Sequence, residues 1–154
     1  MIQRIQSLYL FIVSVLVAVT VIVPVASFAA GADAFELFAY GLKDAAGEKV
    51  VGTLYMALLL DAACLLPLVT IFLYNRRMLQ VRLCVVEAVL LLGAEAMMLA
   101  YFFLWERCFD GFEFNAGSLN YTVALPLAGL VFCWLAIRGI MRDELTVRSL
   151  DRIR

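Results

Sequence analysis

The chain of 154 residues is 66% hydrophobic and 16% charged, and it contains no histidine. Its mean hydropathy is +1.00, and soluble domains are only roughly 45–50% apolar, so the composition excludes an ordinary soluble domain and places the chain in a lipid bilayer. The net charge of -1 is uninformative, because a membrane would separate the charges on its two sides, and we expect no nucleic-acid partner.

Four apolar stretches are near the length of about 20 residues that a helix needs to cross a hydrocarbon core about 30 Å thick. The fold class expected is therefore an all-α membrane protein with four transmembrane helices, in one domain over residues 1–154. In span 1, Pro24 leaves the carbonyl of Thr20 without its helical donor, which predicts a bend. The predicted spans are about 8–30, 51–74, 83–105 and 122–141, followed by a C-terminal helix at 142–154.

The two longer loops permit strands. In the first loop, Asp33 followed by Glu36 resembles the capping box of a short helix, whereas the stretch FELFAYGL is typical of an extended strand. In the second loop, residues 112–115 alternate aromatic and polar side chains. We predict a small antiparallel β pair between the two loops, which caps the outer end of the bundle.

The link between spans 2 and 3, NRRMLQVR, is short, so these helices must be antiparallel neighbours. Pairing residues about Met78 places Asp61 opposite Glu95, close to the midplane. Two carboxylates at one depth in a low dielectric cannot both ionise easily. We therefore expect Asp61 and Glu95 to share a proton if they face each other.

Two interpretations compete for these intramembrane acids. Asp61 and Glu95 could relay protons or a hard cation, since acids within spans often mark such paths. Alternatively they clamp two helices together by hydrogen bonds. We favour the clamp because few polar groups lie outward of Glu95. Glu87 is expected to reach Thr70 or to extend toward Arg82.

Span 4 continues into the tail IRGIMRDELTVRSLDRIR, in which Gly139 is the only helix breaker. Glu144 and Arg148 are spaced as a helical i, i+4 pair, and apolar residues recur every third position, so we predict an amphipathic helix. Its arginines would attract anionic lipid head groups. The alternative is an arginine-rich stop that only fixes the topology.

Basic residues are concentrated at one set of span ends, and by the positive-inside rule both termini and the central turn are cytoplasmic. The two sets are Arg4, Arg76, Arg77, Arg82, Arg138, Arg142, Arg148, Arg152 and Arg154 on one side, and Lys43, Lys49 and Arg107 on the other.

Three segments, MIQRIQSLYL, FLYNRRMLQVRLC and RDELTVRSLDRIR, resemble a family of small four-helix inner-membrane proteins of unknown function from Bacteroidota. The resemblance implies a multi-pass protein of the bacterial inner membrane and implies no chemistry. Together with the turn arginines, its distinctive residues suggest a cytoplasmic interaction face, in which charged pairs lock the termini to the central turn. This face comprises Gln3, Arg4, Gln6, Asn75, Arg76, Arg77, Gln80, Arg82, Asp143, Glu144, Arg148, Asp151 and Arg152.

We therefore predict an accessory or scaffold subunit that associates with a larger membrane complex. Its expected partners are the bilayer, other membrane protein subunits and anionic lipid at the tail. The alternative is a small proton-coupled transporter or channel that uses Asp61 and Glu95. Nothing in the sequence resembles a nucleophile with its base, a metal cluster or a phosphate-binding loop, so we expect no enzymatic activity, metal or cofactor.

Overall fold

The computed structural model describes residues 3–30, 33–73, 76–109 and 115–151. Within these ranges the chain forms four long helices, each with a segment long and apolar enough to cross a membrane. A short 3-10 turn, Tyr121–Val123, precedes the last of them. The helices are α1 (Gln3–Ile22), α2 (Leu54–Phe72), α3 (Arg77–Phe109) and α4 (Ala124–Asp151).

The helices pack as a closed bundle in which α1 contacts α2 and α4, and α3 contacts the same two helices. Its interior is filled by apolar side chains from all four helices, among them Val13, Leu60, Leu91 and Cys133. Because successive helices run antiparallel, the beginning of α1 and the end of α4 lie at one end, here called the terminus end. The strands lie at the other end, here called the sheet end.

A five-stranded antiparallel sheet, with strand order β4-β3-β2-β1-β5, covers the sheet end in the described part of the chain. Strand β5 of the second loop pairs with β1, whose residues lie at the end of the predicted span 1. The strand of the first loop, β2, pairs instead with β1 and β3. The predicted direct pair between the two loops is therefore not formed by the described residues, and the sheet makes the fold something other than all-α. The strand interpretation of the first loop is confirmed and the capping-box helix is wrong. Of the alternating stretch 112–115, all but Asn115 lies outside the described residues. The strands are β1 (Ala26–Ala30), β2 (Asp33–Phe38), β3 (Gly41–Asp44), β4 (Lys49–Gly52) and β5 (Asn115–Leu119).

The first span is shorter than predicted because the chain leaves the helix at Ile22, before Pro24. Proline has no N–H to donate to the preceding turn, and here the chain ends its helix where a bend was expected. The backbone N–H of Val25 instead donates to the carbonyl of Leu37 at 2.7 Å. The small apolar residues that follow, from Ala26 onward, form β1 and not the last turns of a span.

The sheet is tied to the helices by hydrogen bonds at their ends. The Asn120 side chain donates to the carbonyl of Pro24 at 3.1 Å, which joins the start of α4 to the exit of α1. The Thr53 hydroxyl donates to the carbonyl of Ala39 at 2.8 Å and so fixes the start of α2 beneath the sheet. The predicted helical tail is confirmed as far as Asp151, because α4 runs without a break through Gly139.

Gly41 is expected to be required for the β3–β4 hairpin. A Cβ atom at this position would collide with the carbonyl oxygen of Val51 on the neighbouring strand. We expect Gly41→Ala to lower the free energy of local opening of this hairpin by about 1–3 kcal/mol, the usual cost of overpacking, as measured by amide hydrogen exchange in detergent. Gly52→Ala is the matched control, because its Cβ would meet only the Lys49 side chain at 3.5 Å. Equal effects of the two substitutions would contradict the steric argument.

Candidate functional site

Glu87 is the most deeply buried acid in the described part of the chain. Its side chain is 1% exposed, and neither carboxyl oxygen has a hydrogen-bond partner. On α3 it lies one turn from Cys84, on the same face. Cys133 donates from its Sγ to the carbonyl of Cys84 at 3.1 Å, which brings α4 against this face. Glu87 therefore lies where α3 meets the bundle interior, and no described residue forms a hydrogen bond with its carboxyl group.

The expected contacts of Glu87 with Thr70 and Arg82 are absent. The Thr70 hydroxyl donates to the carbonyl of Leu66 at 2.8 Å, and the carbonyl of Thr70 accepts a bond from Nε2 of Gln80 at 3.4 Å. Gln80, and not Glu87, is thus level with Thr70. Arg82 is exposed on the outside of α3.

Asp61 is partly exposed and accepts a hydrogen bond of 2.7 Å from the Tyr40 hydroxyl. Tyr40 lies in the turn between β2 and β3, so the sheet reaches along α2 to this acid. The predicted partner of Asp61, Glu95, is not bonded to it. Glu95 is 9% exposed, and its Oε2 is buried without a hydrogen-bond partner.

The helical register explains why Asp61 and Glu95 do not meet. A Cβ atom on Gly93 would lie 3.6 Å from the Leu59 side chain, and this contact, with the bond between Gln80 and Thr70, aligns α2 with α3. It places Asp61 about level with residue 90, so Glu95 lies roughly 7 Å farther toward the sheet end at a rise of 1.5 Å per residue. The connection between α2 and α3 is centred between residues 72 and 77. The sequence-based pairing placed this centre at Met78, which shifted the expected register of α2 against α3.

The Tyr40 contact predicts a pH dependence at the sheet end. The hydrogen bond to Asp61 raises the pKa of Tyr40 above its ordinary value of 10.0, because ionising the hydroxyl would lose the bond and oppose two negative charges. The bond therefore stabilises the fold fully below the ordinary pKa, and this contribution is lost as the pH rises through the raised pKa. We expect Asp61→Asn to lower the pKa of Tyr40, measured as the tyrosinate absorbance that Tyr40→Phe removes. Asp33→Asn in the exposed part of β2 is the control, and an unchanged pKa in Asp61→Asn would contradict the assignment.

Other polar groups in the bundle are paired between helices. The Ser14 hydroxyl of α1 donates to the carbonyl of Cys64 on α2 at 2.9 Å, near the depth of Glu87. Between the two buried acids of α3 stand Leu91 and Ala94, both 0% exposed. Toward the sheet end, Met98 is also 0% exposed. Apolar side chains therefore interrupt the polar groups along the interior face of α3.

At the terminus end, Nε2 of Gln6 donates to Oδ2 of Asp143 at 2.7 Å and links α1 to α4. Of the predicted interaction face, this pair is brought together, Gln80 is buried against Thr70, and Arg76 and Arg82 are exposed. The remaining members lie outside the described side chains: Gln3, Arg4, Asn75, Arg77, Glu144, Arg148, Asp151 and Arg152. The link from the termini to the central turn thus stays a prediction.

Tyr40 and Ser14 were missed by sequence reasoning. A polar residue within an apolar span, such as Ser14, is a signal that could have been used, since it must find a partner inside the bundle. Tyr40 gave no such signal, because its partner depends on how the sheet sits on α2. The described residues contain no group of three or more His, Cys, Asp and Glu side chains placed to hold a metal ion.

The family model described as a domain of unknown function, DUF4293, matches residues 2–153. The chain belongs to this family. The match covers every helix and strand described above, so the DUF4293 domain comprises both the bundle and the sheet. No curated protein matches the chain. The family description assigns no activity to this DUF4293 protein.

Proposed function

We propose that this DUF4293 protein is an accessory or scaffold subunit that associates with a larger membrane complex. In this proposal it lies in the bacterial inner membrane, as do the Bacteroidota proteins that its three segments resemble. The terminus end is cytoplasmic, because Arg76, Arg82, Arg138 and Arg142 lie there. The tail arginines contribute binding of anionic lipid. The protein has no enzymatic role of its own, and its contribution is to hold other subunits.

The observation that carries this proposal is a small-residue surface on α3. Ala96 and Ala100 lie one turn apart within a membrane-crossing segment, and both side chains are exposed on the outside of the bundle. Small residues at such positions let the backbone of a second helix approach closely, and packing of this kind drives helix association in membranes. The flanking Leu92 and Phe103 are exposed as well, which supplies apolar contacts on either side.

The buried acids support the same proposal from another direction. A proton or ion path needs polar groups that continue to both surfaces. Leu91 lies between Glu87 and Glu95, and Met98 lies beyond Glu95 toward the sheet end. Leu91 and Met98 are both fully buried. The partly exposed acid, Asp61, is engaged by Tyr40. An interior arranged in this way serves packing better than conduction.

The test is isolation of the tagged, full-length chain from its native membrane in a mild detergent, followed by native electrophoresis and mass spectrometry. We expect a stoichiometric larger complex, and we expect the double variant Ala96→Leu, Ala100→Leu to lose it. Ala62→Leu is the matched control, because Ala62 is an exposed small residue on α2 away from the proposed surface. A native chain that migrates as a monomer or homodimer would contradict the proposal.

A second candidate function, a small proton-coupled transporter or channel, has one observation in its favour. Glu87 and Glu95 both carry buried carboxyl oxygens without hydrogen-bond partners, and acids of this kind within spans are often functional. Reconstituted into vesicles with an enclosed pH-sensitive dye, the chain would then conduct protons, and the double variant Glu87→Gln, Glu95→Gln would not. Asp33→Asn is the control, and absence of flux with the native chain would exclude this function.

A further inference from the structure

Two surface grooves at the terminus end meet along α4 at the same pair of arginines. The first groove, of about 480 Å³, lies between α1 and α4 and has Tyr9 and Leu135 in its wall. The second, of about 380 Å³, is a depression on α4 itself on the other side of the pair, and all of its lining residues, Trp134 among them, belong to α4. Arg138 and Arg142 line both grooves. Two open, largely apolar depressions therefore flank one doubly basic ridge.

The two arginines are placed to act together. Arg138 and Arg142 are one helical turn apart, so their side chains leave the same face of α4. The guanidinium of Arg138 lies 5.4 Å from the centre of the Trp134 ring, an arrangement that holds a cation in position. No carboxylate among the described side chains forms an ion pair with Arg138. The neighbouring acid, Asp143, accepts the bond from Gln6, which directs one of its oxygens toward α1.

The hydropathy of α4 predicts that the arginine pair lies at the depth of lipid phosphates. The membrane-crossing segment of α4 extends to Asp143, whereas the helix continues to Asp151. Arg138 and Arg142 thus stand in the last turns of the apolar segment, where basic side chains meet the head groups. A ligand bound here would have its charged part at the ridge and its apolar parts directed back along the span.

We propose that the ridge and its two grooves bind one anionic glycerophospholipid. The guanidinium groups of Arg138 and Arg142 bind its phosphate, because the planar fork of arginine matches phosphate oxygens. One acyl chain lies in each groove, against Tyr9 on one side and Trp134 on the other. A single partner helix with an acidic residue would fill one groove and leave the other open, so the paired grooves favour the two-chain lipid. This site gives the anionic-lipid binding of the proposed function a defined position and rests on that part of the proposal. The subunit role is tested separately, because it requires a protein partner and this site does not.

The test uses Trp134 as a reporter inside the site. The chain has two tryptophans, so Trp105→Phe leaves Trp134 as the only one. In vesicles of phosphatidylcholine, brominated phosphatidylglycerol is expected to quench Trp134 more strongly than brominated phosphatidylcholine at equal content. Each arginine should contribute a preference of about fivefold, the usual effect of one basic side chain near anionic lipid.

The variants separate a built site from general attraction of the basic end. Arg138→Gln with Arg142→Gln should abolish the preference. The double lysine variant at these positions should lose a large part of it, because lysine keeps the charge but cannot form the two parallel bonds of the arginine fork. Arg82→Gln removes an exposed arginine outside the grooves and should change nothing. In the reverse reporter, Trp134→Phe, the remaining Trp105 near the sheet end should show no preference between the lipids.

Three results would overturn the proposal. Equal quenching of Trp134 by both lipids would mean that the site does not select charge. A preference that survives the double glutamine variant would place the selection elsewhere on the protein. Absence of quenching by either lipid would mean that a protein segment covers the grooves, and the occupant would then be a partner helix.

Discussion

Phe28→Ala is expected to remove about 3–5 kcal/mol from the free energy of unfolding, the range typical for deletion of a buried phenylalanine ring. Phe28 on β1 is 2% exposed, and its ring stacks on Phe102 of α3 with centroids 5.5 Å apart and an interplanar angle of 25°. Gly117 of β5 lies against both rings, since a Cβ there would be 3.4 Å from each. These aromatic rings pack β1 and β5 against α3, so the substitution should loosen both strands together.

The effect of Phe28→Ala can be measured by denaturation of the purified chain in mixed micelles, followed by circular dichroism, with hydrogen exchange of β1 and β5 as the local readout. Phe103→Ala is the matched control. Phe103 contacts the same Phe102 ring edge-on but is 56% exposed, so its removal leaves little cavity. If both variants lose the same stability, the sheet is not held by the stacked rings.

The four helices that are long and apolar enough to cross a membrane could be predicted from hydropathy alone, because a run of about 20 apolar residues has few other stable forms in a bilayer. The strand β1 could not. Residues 26–30 continue the apolar run of the span with Ser27 as the one polar residue, and only their pairing with β2 and β5 distinguishes a strand from a helix there. Such pairing is set by residues far away in sequence, which a local pattern does not contain.

The acids within the spans could be identified from the sequence, but their contacts could not. Asp61, Glu87 and Glu95 stand out in any apolar sequence, since charges within spans are costly. Their partners depend on the register of α2 against α3. Because the centre of the turn was assumed a few residues too far along the chain, every expected contact between these helices was displaced. The bond from Tyr40 to Asp61 further requires the position of the sheet, and the sequence gives no local signal for it.

Glu87→Met is expected to raise the free energy of unfolding by about 1–3 kcal/mol, the usual cost of burying a polar group without a partner. Methionine is of similar length and has no group that needs a hydrogen bond, so it should fill the same space. Glu87→Gln should bring no such gain, because its amide would be buried in the same unpaired state. Denaturation in mixed micelles, monitored by circular dichroism, provides the comparison.

Gln80→Met is the control for this substitution. Gln80 is also buried on α3, but its side chain donates to the carbonyl of Thr70, so its removal should cost about 1 kcal/mol. If Glu87→Met were destabilising as well, Glu87 would have a partner that compensates it. If Glu87→Met stabilises the chain and the larger complex still assembles, the carboxyl is dispensable for the subunit role. A stabilised variant that no longer assembles or conducts would instead show that this acid is kept at a cost in stability for its function.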